Sequence, residues 1–244
     1  MKRMPKTLAA FLTLLVFLSL GSSAFADPKP ELEGRIQSAR NVMAEVMATP
    51  DQSIPEELLA KCKAIAIYPS VLKAGFIFGG RFGKGVVLKK DEATGKWGPV
   101  AFSTIGGGSW GLQIGAEATD LILVIMNQRG LDGLLSSKFS MGADASVAAG
   151  PVGRSSEAAT DLSLQAEILS YSRSRGLFGG LAIQGAIVTQ DNNSNTEYYG
   201  KSITGREVLM GSSVTVQPST KELVESLDEY SARWSKRVHT NIKK

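Results

Sequence analysis

The chain has 244 residues, 43% hydrophobic and 20% charged, with a formal charge of +4 at pH 7. A single cysteine, Cys62, cannot form an internal disulfide. With only His239 beside it, too few nitrogen and sulfur donors remain for a zinc centre, so no metal and no cofactor is expected.

Residues 1–26 have the three parts of an export signal: Lys2, Arg3 and Lys6, an apolar core from Leu8 to Leu20, and small residues ending at Ala26. Cleavage before Asp27 is expected, which places the mature protein in the periplasm at a net charge of only +1. That apolar core is too short to span a bilayer, which takes about 20 residues. With Ser22 where a lipoprotein box would have cysteine, no lipid anchor is expected. Residues 27–244 read as one domain around one hydrophobic core: an N-terminal helical region 27–53, a core 54–211, and a C-terminal helix with basic tail 212–244.

Leu32, Ile36, Ala39, Met43, Val46 and Met47 recur at helical spacing opposite Glu31, Arg35, Asn41 and Glu45, which predicts an amphipathic helix over 28–48. Its balanced charge favours packing on its own sheet over lying in a membrane interface. Pro50 and the following polar stretch end it, and a short helix over 55–61 follows. Strands are predicted from Ala64 to Met126, where twelve of the 26 glycines fall between Gly75 and Gly115. Glycine inside strands marks bulges and bends that curl a sheet. The fold class is therefore α+β, with a strongly curved, largely antiparallel glycine-rich sheet, barrel-like or a sandwich. A helix over 129–137 and strands near 138–148, 162–174 and 177–190 come next, then a loop at Asp191–Asn195. Two helices close the chain, near 204–210 and 219–238, with Ser219 and Glu222 at capping-box spacing. Gly75–Val87 and Gly176–Val188 match at an offset of 101 residues, the pattern of a duplicated hairpin.

Lys61–Lys90 holds seven cations (Lys61, Lys63, Lys73, Arg81, Lys84, Lys89, Lys90) and no acid, and the last twelve residues add a charge of +5. Interleaved with strands, such a segment predicts a folded basic face for anionic partners rather than a disordered tail. Gly79–Gly85 lacks the Gly-Lys-Ser/Thr ending and following helix of a nucleotide loop. Gly107-Gly108-Ser109-Trp110-Gly111 fits the Gly-x-Ser-x-Gly elbow of a serine hydrolase, and His239 would complete the chain order. The β-branched stretch that follows reads as strand, and His239 sits near a basic end, both against that chemistry. Glu117, Asp120, Glu157 and Asp161 read as turn-capping or ion-pairing acids, not as a catalytic pair.

Long motifs in this order resemble the SYLF lipid-binding family: Lys73–Phe76, Gly80–Gly85, Trp97–Pro99, Trp110–Asp120, Ser146–Arg154 and Tyr171–Phe178. The resemblance covers about Ile54 to Leu209. It implies a non-enzymatic protein with affinity for anionic lipid head groups, because eukaryotic members bind phosphoinositides and fungal ones also bind actin. Export separates this chain from actin, so anionic phospholipids at a membrane surface are the expected partner and nucleic acid is not. Lys73, Arg81 and Arg154 fall within the matching motifs. Lys61, Lys63, Lys84, Lys89 and Lys90 are candidates on charge alone. The competing readings are an envelope protein-interaction scaffold and a hydrolase using Ser109.

Overall fold

A computed structural model of the chain describes residues 29–75, 78–110, 115–153, 165–174, 176–181 and 183–242. The segment expected to be an export signal, and Arg154, Glu157 and Asp161, lie outside the described residues. The first helix, α1 (Lys29–Met47), forms where the apolar spacing predicts it, and buries Leu32, Ile36, Ala39, Val42, Met43, Val46 and Met47. Arg35 departs from the expected polar face. It is buried, with its guanidinium on Asp191 at 3.2 Å, on Glu31 at 3.4 Å, and 5.2 Å from the centre of the Phe102 ring. A buried guanidinium needs such partners to offset the loss of water. After a 3-10 turn at Pro50–Gln52 comes α2 (Glu56–Lys61).

Among the described residues nine strands make one sheet: β1 (Ala64–Gly75), β2 (Phe78–Lys90), β3 (Trp97–Trp110), β4 (Gly115–Ile125), β5 (Phe139–Ser140), β6 (Val147–Ala149), β7 (Ile168–Ser174), β8 (Leu177–Gly180) and β9 (Ile187–Gln190). The order is β5-β9-β3-β2-β1-β4-β7-β6, with β8 on β7, and among these nine strands only the β6–β7 pairing is parallel. The sheet curls into a half-barrel. Close packing demands glycine at Gly85, where a Cβ would collide with the Ile67 carbonyl and the Tyr68 ring lying across it. Ser103 Oγ donates to Tyr68 Oη at 3.0 Å, which holds that ring in place.

Where the sequence suggests one core, the sheet has two, one on each face. The first includes Ile65, Ile67, Val86, Leu88, Phe102, Ile122 and Val124 with α1, α2 and the C-terminal helix. The second includes Ala66, Tyr68, Val71, Val87, Ile105, Leu121 and Leu123 with α3 (Gln128–Leu134) and α5 (Gly205–Met210). Strand alternation makes this unavoidable, because β1, β2 and β4 are apolar at successive positions and so need cover on both sides.

Three local expectations are corrected. Asp191–Asn195 is not a loop: Asp191 caps α4 (Asn192–Tyr199), its side chain accepting from Ser194 N at 3.2 Å. Ser219 does not form a capping box, because its hydroxyl pairs with Tyr198 Oη at 2.6 Å and α6 (Lys221–Ile242) begins from a 3-10 turn at Pro218–Thr220. The capping box belongs to Thr204 and Glu207 at the start of α5. The two matched segments each turn through an antiparallel hairpin, β1–β2 and β7–β8, but the second is shorter, because β9 leaves it to pair with β3 and β5. Between 138 and 148 the chain forms only the two short strands β5 and the start of β6.

Candidate functional site

The position of each cation follows from which core its strand neighbours enter. In β2, Val86 and Leu88 point to the α1 side and Val87 to the other. Alternation then sends Lys84 and Lys90 toward α1, and Arg81 and Lys89 away from it. In β1 the alternation is interrupted by a bulge at Pro69-Ser70, where the register shifts against both neighbours and Ser70 has φ +52°. Asp120 pins this bulge by accepting from Ser70 N at 2.9 Å while it pairs with Arg173 at 2.8 Å. The extra residue reverses which side chains face α1, so Leu72 points there and Lys73 points away.

The seven cations therefore do not form one face. Lys61 is held by Glu57 at 2.5 Å and Lys63 by Glu92 at 2.6 Å, and that hydrogen bond draws the Glu92 carboxyl below its ordinary range. Lys84 reaches Glu31 Oε1 at 3.1 Å, the main cause of a lowered Glu31 pKa. Lys90 is buried. It donates to the carbonyl oxygens of Leu59 and Ala60 at the end of α2, and its ammonium lies 4.8 Å from the centre of the Trp97 ring. Lys89 lies on the Arg81 side of the sheet, but eight residues along β2, about 27 Å at the usual strand rise.

Lys73 and Arg81 are brought together. They are directly paired across β1 and β2, near the end of the sheet where the first hairpin turns, and we call this the distal end. Opposed residues of an antiparallel pair have Cβ atoms about 5 Å apart, and like charges there destabilise. Among the described residues neither makes an ion pair within 4 Å. Glu117, on the β4 flank of Lys73, accepts a hydrogen bond from Ser174. Partial burial pulls the Arg81 guanidinium below its ordinary pKa. An anion bridging the two cations would relieve both the repulsion and the lost hydration.

One residue before this row, on the opposite face of the sheet, Leu72 pairs with Phe82, and the two are 58% and 54% exposed. They border a groove of about 330 Å³ between α1 and the bulge, whose lining also includes Glu31, Arg35, Ser38 and Lys84. The distal hairpin thus carries a cation pair on one face and an apolar pair on the other. Sequence reasoning missed the apolar pair, because Leu72 and Phe82 look like core residues until the bulge and the end of α1 leave them uncovered. Pro69 inside a strand was the available signal for the bulge.

The serine of the elbow motif lies within β3, its backbone paired with Gly79, and no helix follows it among the described residues; β4 is the next element. That is not the strand-turn-helix setting in which such a serine is presented. Asp120 serves the bulge and Arg173, as an ion-pairing acid would.

Residues 106–230 match the family model described as Ysc84, a Las17-binding protein actin regulator. The chain belongs to the Ysc84 family, also called SYLF. It is similar to Protein YSC84 of Saccharomyces cerevisiae, 33% identical over 193 residues that cover 78% of this chain and 40% of the yeast protein. It is also similar to the SH3 domain-containing YSC84-like protein 1 of Bos taurus, 32% identical over 186 residues, 76% of this chain and 54% of the relative. LAS seventeen-binding protein 3 of S. cerevisiae is 36% identical over 165 residues, 66% of this chain and 35% of the relative. The chain thus spans about half the length, or less, of these relatives. The family match begins at residue 106, downstream of Lys73 and Arg81.

Proposed function

We propose that this protein is a non-enzymatic, periplasmic binder of anionic phospholipid surfaces, which it meets with the distal end of its first hairpin. The observation that carries this reading is the Lys73–Arg81 pair, directly opposed across β1 and β2, with Glu117 on the far flank of Lys73 as the carboxylate in register with it. Each cation near an anionic surface contributes about 1 kcal/mol, so this pair alone supports only weak attachment. Partial burial of Leu72 and Phe82, each worth about 1.5–3 kcal/mol if fully buried, brings binding into a useful and reversible range. Lys61, Lys63, Lys84 and Lys90 have structural or ion-paired places and Lys89 lies far along β2, so none of them is needed for it.

The test is cosedimentation with phosphatidylglycerol vesicles and with phosphatidylcholine vesicles at two salt concentrations. Wild type should bind only the anionic vesicles, and less at high salt because exposed charges are screened over about 10 Å at 0.1 M. Lys73→Glu with Arg81→Glu should abolish binding while the unfolding midpoint is kept. Undiminished binding by that double variant would remove the mechanism. A protein-partner reading is favoured by the family description as a Las17-binding actin regulator. It predicts no vesicle binding at any charge.

A further inference from the structure

The groove between α1 and the first hairpin has a composition of its own. Its lining joins the exposed Leu72–Phe82 pair to a charged clasp, with Lys84 on Glu31 at 3.1 Å and Glu31 on Arg35 at 3.4 Å. Arg35 forms the floor with a side chain only 7% exposed, backed by Asp191 at 3.2 Å, whereas Glu31 and Lys84 lie at the open rim. Asp191 balances Arg35 from behind and Glu31 is shared between the two cations, so Lys84 at the rim is the cation open to a ligand, beside an apolar wall. Phe82 and Lys84 are two residues apart on one strand face, about 7 Å, so a chain on the aromatic ring places its head group at the ammonium. The volume of about 330 Å³ is at the lower end of small-molecule sites, about 300–1,000 Å³, which suits one hydrocarbon chain rather than two. The bulge that opens this groove holds Ser70 in the left-handed region, a conformation that costs about 1–3 kcal/mol in a residue with a side chain and that clusters at ligand sites.

We infer that this groove binds a single-chain amphiphile with an anionic head, of the fatty-acid class, its chain lying along Leu72 and Phe82 and its head group beside Lys84. The site is on the α1 side of the sheet, opposite the Lys73–Arg81 pair, and shares Leu72 and Phe82 with the proposed membrane contact, so the cation-pair variant, which leaves both apolar residues in place, tells the two readings apart. The head group exchanges with Glu31 for the Lys84 ammonium, while the exposed apolar pair is taken out of water by the chain.

The experiment is calorimetric titration of the full chain with dodecanoate below its micelle concentration, with dodecyltrimethylammonium as the same chain on a cationic head, and with inorganic phosphate as an anion without a chain. Wild type should bind dodecanoate saturably and at least tenfold more tightly than either comparison ligand. Ser38 is exposed on α1 at the groove, so Ser38→Trp should fill the space and weaken dodecanoate at least tenfold without moving the unfolding midpoint. Phe82→Gln, at an exposed position, should weaken it similarly and serves if the tryptophan variant folds poorly. Lys73→Glu with Arg81→Glu should leave dodecanoate binding unchanged even though vesicle binding is lost. No saturable binding to wild type, equal affinity for the cationic chain or for phosphate, or full binding by both groove variants would each overturn the inference.

Discussion

Replacing Lys90 by methionine separates structural from functional cations in the Lys61–Lys90 segment. Lys90 holds the end of α2 through Leu59 and Ala60, and its stack on Trp97 joins it to the C-terminal helix. Trp97 Nε1 donates to Ser231 Oγ at 3.0 Å, Ser231 Oγ donates to the same Leu59 carbonyl at 3.1 Å, and Trp97 N donates to Asp228 at 3.0 Å. A hydrogen bond from a charged donor is worth about 1.5–3 kcal/mol, and a cation over an aromatic ring about 0.5–2 kcal/mol. Burial draws the Lys90 ammonium below its ordinary pKa, so part of that gain is spent on desolvation. Methionine keeps the apolar stem but strands the Ala60 carbonyl and leaves the Leu59 carbonyl to Ser231, for a net loss of about 3 kcal/mol. In a chain of this size that is a fall in melting temperature of about 6–12 °C. Differential scanning calorimetry of Lys90→Met measures the loss, and cosedimentation below the melting range should show unchanged vesicle binding. A wild-type melting temperature, or a folded variant that no longer binds vesicles, would refute the assignment of Lys90 as a structural cation.

Glu31 sets a pH-dependent tie between α1 and β2. Its folded pKa is lowered, chiefly by the Lys84 hydrogen bond, so its contribution is present above the ordinary carboxylate range and is lost as pH falls through the folded value. The pair is exposed, so Glu31→Gln should cost less than about 1 kcal/mol at pH 7 and nothing at pH 2, read from urea midpoints; an equal penalty at both pH values would contradict this. Gly85→Ala should cost about 2 kcal/mol or more, because the added methyl meets the Ile67 carbonyl and the Tyr68 ring, and a change within about 0.5 kcal/mol would show that the strands separate freely. Thr204→Ala should cost about 1 kcal/mol by removing a helix cap. Ser219→Ala should instead leave α6 helicity, read by circular dichroism, intact while it breaks the bond to Tyr198.

Local chemistry decided much of this protein from the sequence alone. Apolar spacing at 3.6 residues located α1 and its buried face, and dense glycines among β-branched residues marked a curled sheet, because each signal acts within a few residues of itself. The motif at Trp110–Asp120 and those around it carried the family. Other local signals were ambiguous, since Asp191 and Ser219 can cap a helix, start a turn or bond to a distant side chain, and only their neighbours decide which. Arg35 looked like a surface residue until Asp191, 156 positions away, came within reach. The site depended on tertiary structure still more. Seven cations in thirty residues read as one surface, yet strand alternation splits them between two faces, carboxylates from α1 and the β2–β3 turn neutralise several, and a bulge at Pro69-Ser70 determines that Lys73 shares a face with Arg81. Charge is a property of composition, whereas convergence of charge is a property of register, and register is set by pairing between residues far apart in the chain.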